Sequence, residues 1–239
     1  YTLAYEIKVF ALEPMSHQQF YISAADGSVL RVIDLVHESN TPATGTTKYN
    51  GVQSFITDFT GTNYILKETN RGGSGTAIST YDMNNGTNIS MAVNYQNNST
   101  NWQNEAVGVQ GHWSAEKAFD YFHSIHGRNS FNDNGGEIIS YLDYDVNYNN
   151  ASWNGVYMKF GGGDGVSRTS WASLDVVAHE FTHGVTEFSA GLVYLNESGA
   201  LNESFSDIFG TAIEFYAQGN GDWLVSEDVT VNGSGIRSM

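Results

Sequence analysis

The chain has 239 residues, of which 40% are hydrophobic and 13% aromatic, so it can form a packed core. Its 26 acidic and 10 basic residues give a formal net charge of -16, which argues against binding to nucleic acid or to an anionic membrane surface. The sequence has no cysteine, which excludes disulfides and cysteine nucleophiles, and it has no apolar run of the length that spans a membrane.

The first 36 residues predict paired strands. Apolar residues alternate in the first ten positions, and two further apolar runs flank the turn at Asp26-Gly27. An Asp-Gly pair between apolar runs is typical of a β-hairpin. The polar segment 37–45, which contains Pro42, follows and predicts a linker. We therefore place a boundary between two parts of the chain in this segment.

The rest of the sequence predicts strands first and helices last. Residues 46–100 and 138–160 are rich in β-forming residues among many Asn and Gly. Between them, residues of about 107–123 have apolar side chains at the three- to four-residue spacing of a helix. Two more helices are predicted over about 174–188 and 199–217. This order of elements indicates an α+β fold.

The segment His179 to His183 reads His-Glu-Phe-Thr-His and carries the most specific chemical signal. On a helix, residues four apart project from the same face, so both imidazoles can bind one metal ion. Glu180 would lie beside such an ion, where it can take a proton from an activated water molecule. The alternative is a structural helix with two incidental histidines, because a pattern of five residues also arises by chance.

The last predicted helix argues against that alternative. A zinc site for hydrolysis needs three protein ligands and one open position, and Glu203 is the natural third ligand. Asp207 lies one turn further along, and with Asn202 it can accept hydrogen bonds from the outer nitrogens of metal-bound histidines. A solvated helix face is the alternative for Glu203 and Asp207, but both carboxylates lie beside a stripe of Phe, Leu and Ile.

Around these residues the sequence resembles the thermolysin-like neutral metallopeptidases, whose known zinc ligands are His, His and Glu. The similarity covers roughly residues 44–239 and is strongest from about residue 147. It includes the family's zinc helix at 175–187, the segment 189–203 that follows it, and the substrate-binding edge strand at 149–155. The resemblance implies zinc on His179, His183 and Glu203.

The resemblance also implies how the chain is divided. Residues 1–38, with their β-hairpin, would be the C-terminal part of a propeptide that inhibits the enzyme and assists its folding. Residues 39–43 would be a linker that contains the processing site. Residues 44–239 would form the β-rich N-terminal catalytic domain with the active-site helices. The helical C-terminal domain, which carries a histidine that stabilises the transition state, is expected to be missing, so this fragment alone is expected to be inactive or weak.

Further residue roles follow from the resemblance. Glu180 would activate the attacking water and Tyr194 would help to stabilise the oxyanion. The substrate would contact an edge strand, an arginine and an apolar pocket, formed by Asn150, Ala151, Trp153, Arg237, Val176, Val225, Val229 and Ile236. Plain core packing is the alternative for the four apolar residues of this set. One or two calcium ions would be held by Asp175, Glu214, Asp222, Glu227 and the carbonyls of Asn220 and Leu224.

These observations predict a secreted, monomeric endopeptidase that hydrolyses peptide bonds with zinc-activated water and prefers a bulky apolar residue after the scissile bond. Its partners would be protein and peptide substrates and its own propeptide. A truncated, non-catalytic metal-binding or interaction protein is an alternative, but a pure binding site has no use for a base at Glu180. A calcium-dependent adhesion module is a third interpretation, which fits the acidity and leaves the histidine pair unexplained.

Overall fold

The structure, a computed structural model, describes residues 2–12, 15–34 and 40–239. Its first elements form an antiparallel sheet of order β1-β2-β3, with strands β1 (Ala4–Leu12), β2 (Met15–Ser23) and β3 (Val29–Asp34). The apolar residues pair across the strands, as Ile7 with Phe20 and Phe20 with Val32. The alternation seen in the sequence therefore places one apolar row on one face of this sheet.

The chain then enters a larger body through strand β4 (Asn40–Thr46), which pairs along its whole length with β5 (Val52–Phe59). Residues 40–43 of the linker expected over 39–43 therefore lie in a strand. Ala43 and Gly45 are buried while their neighbours are more exposed, which is the two-residue period of a half-buried strand. Because the segment is polar, its two-residue alternation of buried and exposed positions is not visible as an apolar pattern in the sequence. The remaining residue of that region, Ser39, lies outside the described residues.

Two sheets form the β-rich part of this body. One has the order β10-β6-β5-β4-β11, with β6 (Tyr64–Ile65), β10 (Gln96–Asn97) and β11 (Asn101–Trp102). The other has the order β13-β14-β12-β8-β7, with β9 also paired to β8. Its strands are β7 (Lys67–Arg71), β8 (Thr76–Asp82), β9 (Val93–Asn94), β12 (Ile138–Leu142), β13 (Ala151–Trp153) and β14 (Met158–Phe160). Strand β13 is therefore an edge strand, paired only with β14 within the described part of the chain.

Three α-helices complete the fold in the described part of the chain: α1 (Ala106–His126), α2 (Leu174–Glu187) and α3 (Asn196–Gln218). They agree with the predicted helices within three residues at each end, and the α+β fold is confirmed. Helix α1 packs against strands of both sheets, and α2 packs between α1 and α3. A short antiparallel pair follows α3, formed by β15 (Leu224–Val225) and β16 (Arg237–Ser238). None of the helices in the described ranges has the length and apolar character needed to cross a membrane.

Candidate metal centre and active-site cleft

The side chains of His179, His183 and Glu203 converge between α2 and α3. The Nε2 atoms of the two histidines lie 3.0 Å apart. Oxygens of Glu203 lie 3.4 Å from His179 Nε2 and 3.3 Å from His183 Nε2. Ligands of a tetrahedral zinc ion with bonds of roughly 2.0–2.1 Å are about 3.3 Å apart. The three side chains therefore fit one tetrahedral metal ion and leave its fourth position for a reacting group.

The outer nitrogen of each imidazole is held by α3. Nδ1 of His179 donates to Oδ1 of Asp207 at 2.8 Å, and Nδ1 of His183 donates to Oδ1 of Asn202 at 2.7 Å. A proton on Nδ1 leaves Nε2 unprotonated, which is the form that binds a metal ion. The structure thus brings Asp207 and Asn202 to the two histidines, as the sequence predicts. Ser206, which sequence reasoning did not single out, lies 3.2 Å from Nδ1 of His183.

A close approach of the two helices at Gly210 makes these contacts possible. A Cβ atom at Gly210 would lie 2.9 Å from the carbonyl oxygen of Asp175, which leaves no room for a side chain. Glu203 and Asp207 precede Gly210 by seven and three residues and so lie on the same face of α3. The bare backbone at Gly210 therefore brings their carboxylates within reach of the histidines on α2.

Arg237, which the resemblance implies would contact the substrate carbonyl, also contacts Asp207. Its guanidinium donates to both oxygens of Asp207, at 2.5 and 2.6 Å. Burial acts to raise the pKa of Asp207, but the hydrogen bonds from His179 and Arg237 outweigh it and lower that pKa. The side chain of Arg237 is 44% exposed and lines the cleft, so it can orient Asp207 and still face a substrate.

Glu180 lies in the wall of the cleft beside the three converging side chains, and only 6% of the residue is exposed. Burial raises the pKa of its carboxyl, although His179 and His183 act to lower it. The backbone N–H of Trp153 faces the same carboxylate. A buried carboxylate with a raised pKa is a better proton acceptor than an exposed one, which suits a general base.

Tyr194 is 66% exposed at the rim of the cleft. Its hydroxyl donates to Oε1 of Glu203, and its ring centroid lies 5.9 Å from that of His183. The hydrogen bond to Glu203 and partial burial raise the pKa of Tyr194 to about 12, so the phenol remains protonated at neutral pH. Its single O–H can donate to another oxygen that approaches this position only by leaving Glu203.

The cleft has a volume of about 750 Å³ and contains most of the predicted substrate contacts. The residues of the prediction that line it are Asn150, Ala151, Trp153, Val176, Val225, Ile236 and Arg237. Val229 is fully buried and is absent from the lining, and its carbonyl accepts the backbone N–H of Thr169. Trp171 and Glu187 also line the cleft, and no pattern in the sequence marked them.

A second cluster of acidic side chains lies beyond the first turn of α2. Carboxylate oxygens of Glu214, Asp222 and Glu227 lie within 4.8 Å of one another. Glu214 and Glu227 each have one buried oxygen without a hydrogen-bond partner. Burial and the neighbouring carboxylates raise the pKa of Glu214 to about 8 and that of Glu227 to about 7. Buried oxygens that repel one another fit a calcium ion, which takes several oxygen ligands.

The other residues predicted to hold calcium are Asp175, Asn220 and Leu224. Asp175 accepts hydrogen bonds from the Ser173 hydroxyl and from the backbone N–H of Ser226. Asn220 and Leu224 lie two residues to either side of Asp222, whose carboxylate accepts the N–H of Leu224 at 2.7 Å. The sequence did not single out Asp228, yet burial and the charge of Asp175 raise its pKa to about 6. Asp228 therefore belongs to the same acidic region.

We expect Asp207→Ala to weaken zinc binding by about 10- to 100-fold, because His179 loses the acceptor that fixes its tautomer. The affinity is measured by competition with a chromogenic zinc chelator in the full-length protein. Ser206→Ala is the matched control on the same helix face, and its affinity is expected to change by less than about threefold, because Asn202 still holds His183. A folded Asp207→Ala protein with unchanged zinc affinity would contradict this role.

Two family models match the chain. The model described as "Thermolysin metallopeptidase, catalytic domain" matches residues 42–187, and "Thermolysin metallopeptidase, alpha-helical domain" matches residues 190–239. The second match corrects the expectation that the helical domain is missing, because its first part, including α3, is present. Sequence reasoning overlooked this boundary because α2 and α3 follow each other without a change of composition.

The chain is also similar to curated bacterial proteins. It is 40% identical over 242 residues to a bacillolysin from Brevibacillus brevis, which covers 99% of this chain and 44% of that protein. It is 38% identical over 257 residues to a thermolysin from Alicyclobacillus acidocaldarius, which covers 99% of this chain and 46% of that protein. The chain therefore spans about half the length of the relatives that it matches.

A solved structure is similar as well. It is the precursor of protealysin, a metalloproteinase from Serratia proteamaculans, with 33% identity and a TM-score of 0.61. The match covers 67% of this chain and 52% of that one. At this level of identity the likeness extends beyond the fold to the family.

Proposed function

The chain belongs to the thermolysin family of metallopeptidases, and on this premise we propose that the protein is a secreted zinc-dependent endopeptidase. The observation that carries the proposal is the convergence of His179, His183 and Glu203 beside a buried Glu180. Two imidazoles and a carboxylate with an open fourth position are the ligands of catalytic zinc sites. A metal site that only stabilised the fold would need no open position and no free carboxylate beside it.

A zinc ion bound by these three side chains would act as a Lewis acid that polarises the peptide carbonyl and lowers the pKa of a water molecule. Glu180 would take the proton of the attacking water at its carboxylate and deliver it to the leaving nitrogen. Tyr194 would donate a hydrogen bond from its hydroxyl to the developing oxyanion. Asp207, held by Arg237, would keep His179 in the metal-binding tautomer.

An extended substrate would bind along edge strand β13, so that the substrate backbone becomes a further strand of the sheet. Ala151 pairs with β14 on one side and lines the cleft, so its main-chain groups on the other side are available to an extended peptide. This arrangement favours recognition of unfolded or loop segments of protein substrates, because a peptide must be extended to pair with a strand.

The apolar wall formed by Val176, Val225 and Ile236 is the basis of the proposed specificity. We expect a peptide with Leu after the scissile bond to be cleaved at least about tenfold faster than the same peptide with Gly, because burying a side chain in an apolar pocket contributes such factors. The test compares kcat/KM for two internally quenched peptides, with the cut bond identified by mass spectrometry. Equal rates, or a preference for Asp, would contradict the assigned pocket.

We also propose that residues 1–38 are the end of a propeptide. The match to the catalytic domain begins at residue 42, whereas the alignments with the curated relatives cover 99–100% of the chain. Nearly all of the preceding segment therefore has a counterpart in those proteins. Incubating the full-length protein and sequencing the N-terminus of the mature product tests the proposal, which predicts a cut within or near 37–43.

One or two calcium ions are proposed as the second cofactor, held at the cluster of Glu214, Asp222 and Glu227. What supports them is the combination of converging carboxylates and buried oxygens without partners. The ions would hold the end of α3 to the segment around residue 227 and so stabilise the base of the cleft.

A further inference from the structure

We propose that Glu187 is a positioning residue, which acts through the indole of Trp153 to hold the backbone N–H of Trp153 against the Glu180 carboxylate. The proposal rests on the proposed peptidase function and adds a residue to its machinery. Glu187 is the last residue of α2 and lines the active-site cleft.

Trp153 contacts helix α2 at two places. Its indole Nε1 donates to Oε2 of Glu187 at 2.7 Å, and its backbone N–H faces the Glu180 carboxylate. Glu180 and Glu187 are seven residues apart, which is two helical turns, so both side chains project from the same side of α2. Trp153 of the edge strand therefore connects Glu180, the proposed base, to Glu187 at the end of the same helix.

The indole also lies directly against the helix backbone. A Cβ atom at Gly184 would be 3.2 Å from Cζ2 of Trp153, so the absence of a side chain there makes room for the ring. The ring of Phe131 packs on the indole with its centroid at 4.9 Å and an interplanar angle of 61°. These apolar contacts hold the indole in the cleft wall but do not fix its rotation, which the directional bond to Glu187 can do.

The strand that carries Trp153 needs such a fixed point. Strand β13 has three residues and pairs with β14, while its other edge faces the cleft. Backbone pairing alone therefore leaves its distance from α2 free to vary. Because the N–H of Trp153 must face Glu180, a small shift of β13 changes the hydrogen bond to the proposed base.

The location of Glu187 in its helix argues for the same role. Negative charge is unfavourable at the C-terminus of a helix, because the helix dipole is negative there. Every other residue of α2 except His183 is buried, and His183 is one of the three converging side chains. His183 is half-buried and Glu187 is exposed, and both line the cleft.

The test compares Glu187→Ala, Glu187→Gln, Trp153→Phe and the double variant Glu187→Ala/Trp153→Phe in the zinc-loaded full-length protein. Trp153→Phe keeps an aromatic ring and removes the indole N–H. We expect Glu187→Ala and Trp153→Phe each to lower kcat by about three- to tenfold with a smaller change in KM, and the double variant to be no worse than the poorer single one. Glu187→Gln should stay near wild type, because its amide oxygen still accepts the indole N–H.

An NMR measurement follows the hydrogen bond between Trp153 and Glu187 independently of activity. The indole ¹⁵N–¹H resonance of Trp153, assigned by its loss in Trp153→Phe, should shift and exchange faster with solvent in Glu187→Ala. Additive losses in the double variant, or an unchanged kcat in Glu187→Ala while wild type is active, would overturn this proposal alone. A zinc-loaded wild type that cuts no peptide would instead overturn the proposed function, and this proposal with it.

Discussion

Glu180→Gln is expected to bind zinc as tightly as the wild type and to hydrolyse peptides about 10²–10⁴ times more slowly. Glutamine has the shape of glutamate, and its amide oxygen can still accept the backbone N–H of Trp153, but it cannot take a proton from water. The loss should therefore appear in kcat while the zinc site remains intact. The measurement is kcat and KM for an internally quenched peptide together with metal analysis of the same protein.

Glu197→Gln is a control for this experiment, because it makes the same chemical change at an exposed residue of α3 outside the cleft lining. It should retain nearly full activity. If Glu180→Gln keeps its zinc and cleaves within a few-fold of the wild type, Glu180 is not the base. If the wild type and Glu180→Gln both hold zinc and neither cleaves any peptide, the site is a binding site rather than a catalytic one.

Removing calcium is expected to lower the free energy of unfolding by about 2.7–4.1 kcal/mol, the amount contributed by a ligand present at 100 to 1,000 times its Kd. The cause is the cluster of Glu214, Asp222 and Glu227, whose carboxylates would face one another without a cation between them. The measurement is urea unfolding of the full-length protein in calcium-containing and calcium-depleted buffer, with zinc saturating in both.

Glu214→Gln separates repulsion from other effects of calcium. It removes one buried carboxylate whose pKa is raised to about 8 by burial and by Glu227. In calcium-depleted buffer this variant should be more stable than the wild type, and adding calcium should stabilise it less. Equal stability of the wild type with and without calcium would contradict a calcium site. Full replacement of calcium by magnesium would also contradict it, because magnesium requires a smaller octahedral site.

The zinc ligands could be predicted from the sequence because their geometry is mostly local. The spacing of His179 and His183 fixes their common face on a helix, and Glu203 lies on the next helix of the chain. The outer contacts of Asp207 and Asn202 follow from the same helix face. The α+β order of elements is likewise readable from apolar periodicity, which the three helices confirm to within a turn.

Features that depend on distant contacts could not be predicted in this way. The role proposed for Glu187 depends on Trp153 packing against Gly184 and Phe131, which lie far apart in the sequence. Val229 has the same apolar character as Val225, yet only Val225 lines the cleft. Burial of a single valine is decided by how the loop after α3 folds back, and composition does not contain that information.

Strand β4 shows a second limit of prediction from local sequence. Pro42 and its polar neighbours are typical of a linker, but tertiary pairing with β5 makes the segment a strand. Local propensity is a weak guide where an adjacent strand supplies hydrogen bonds and a core to cover. The buried Ala43 and Gly45 are small residues, so the alternation that indicates a strand was difficult to recognise.

X-ray absorption at the zinc edge, for the full-length protein and for His183→Ala, tests the proposed zinc ligands. We expect one zinc ion per chain, with two imidazole nitrogens and a carboxylate oxygen at about 2.0–2.2 Å, and the loss of one imidazole in the variant. A protein that binds no zinc, or whose zinc has a shell of oxygens without imidazole, would contradict these ligands.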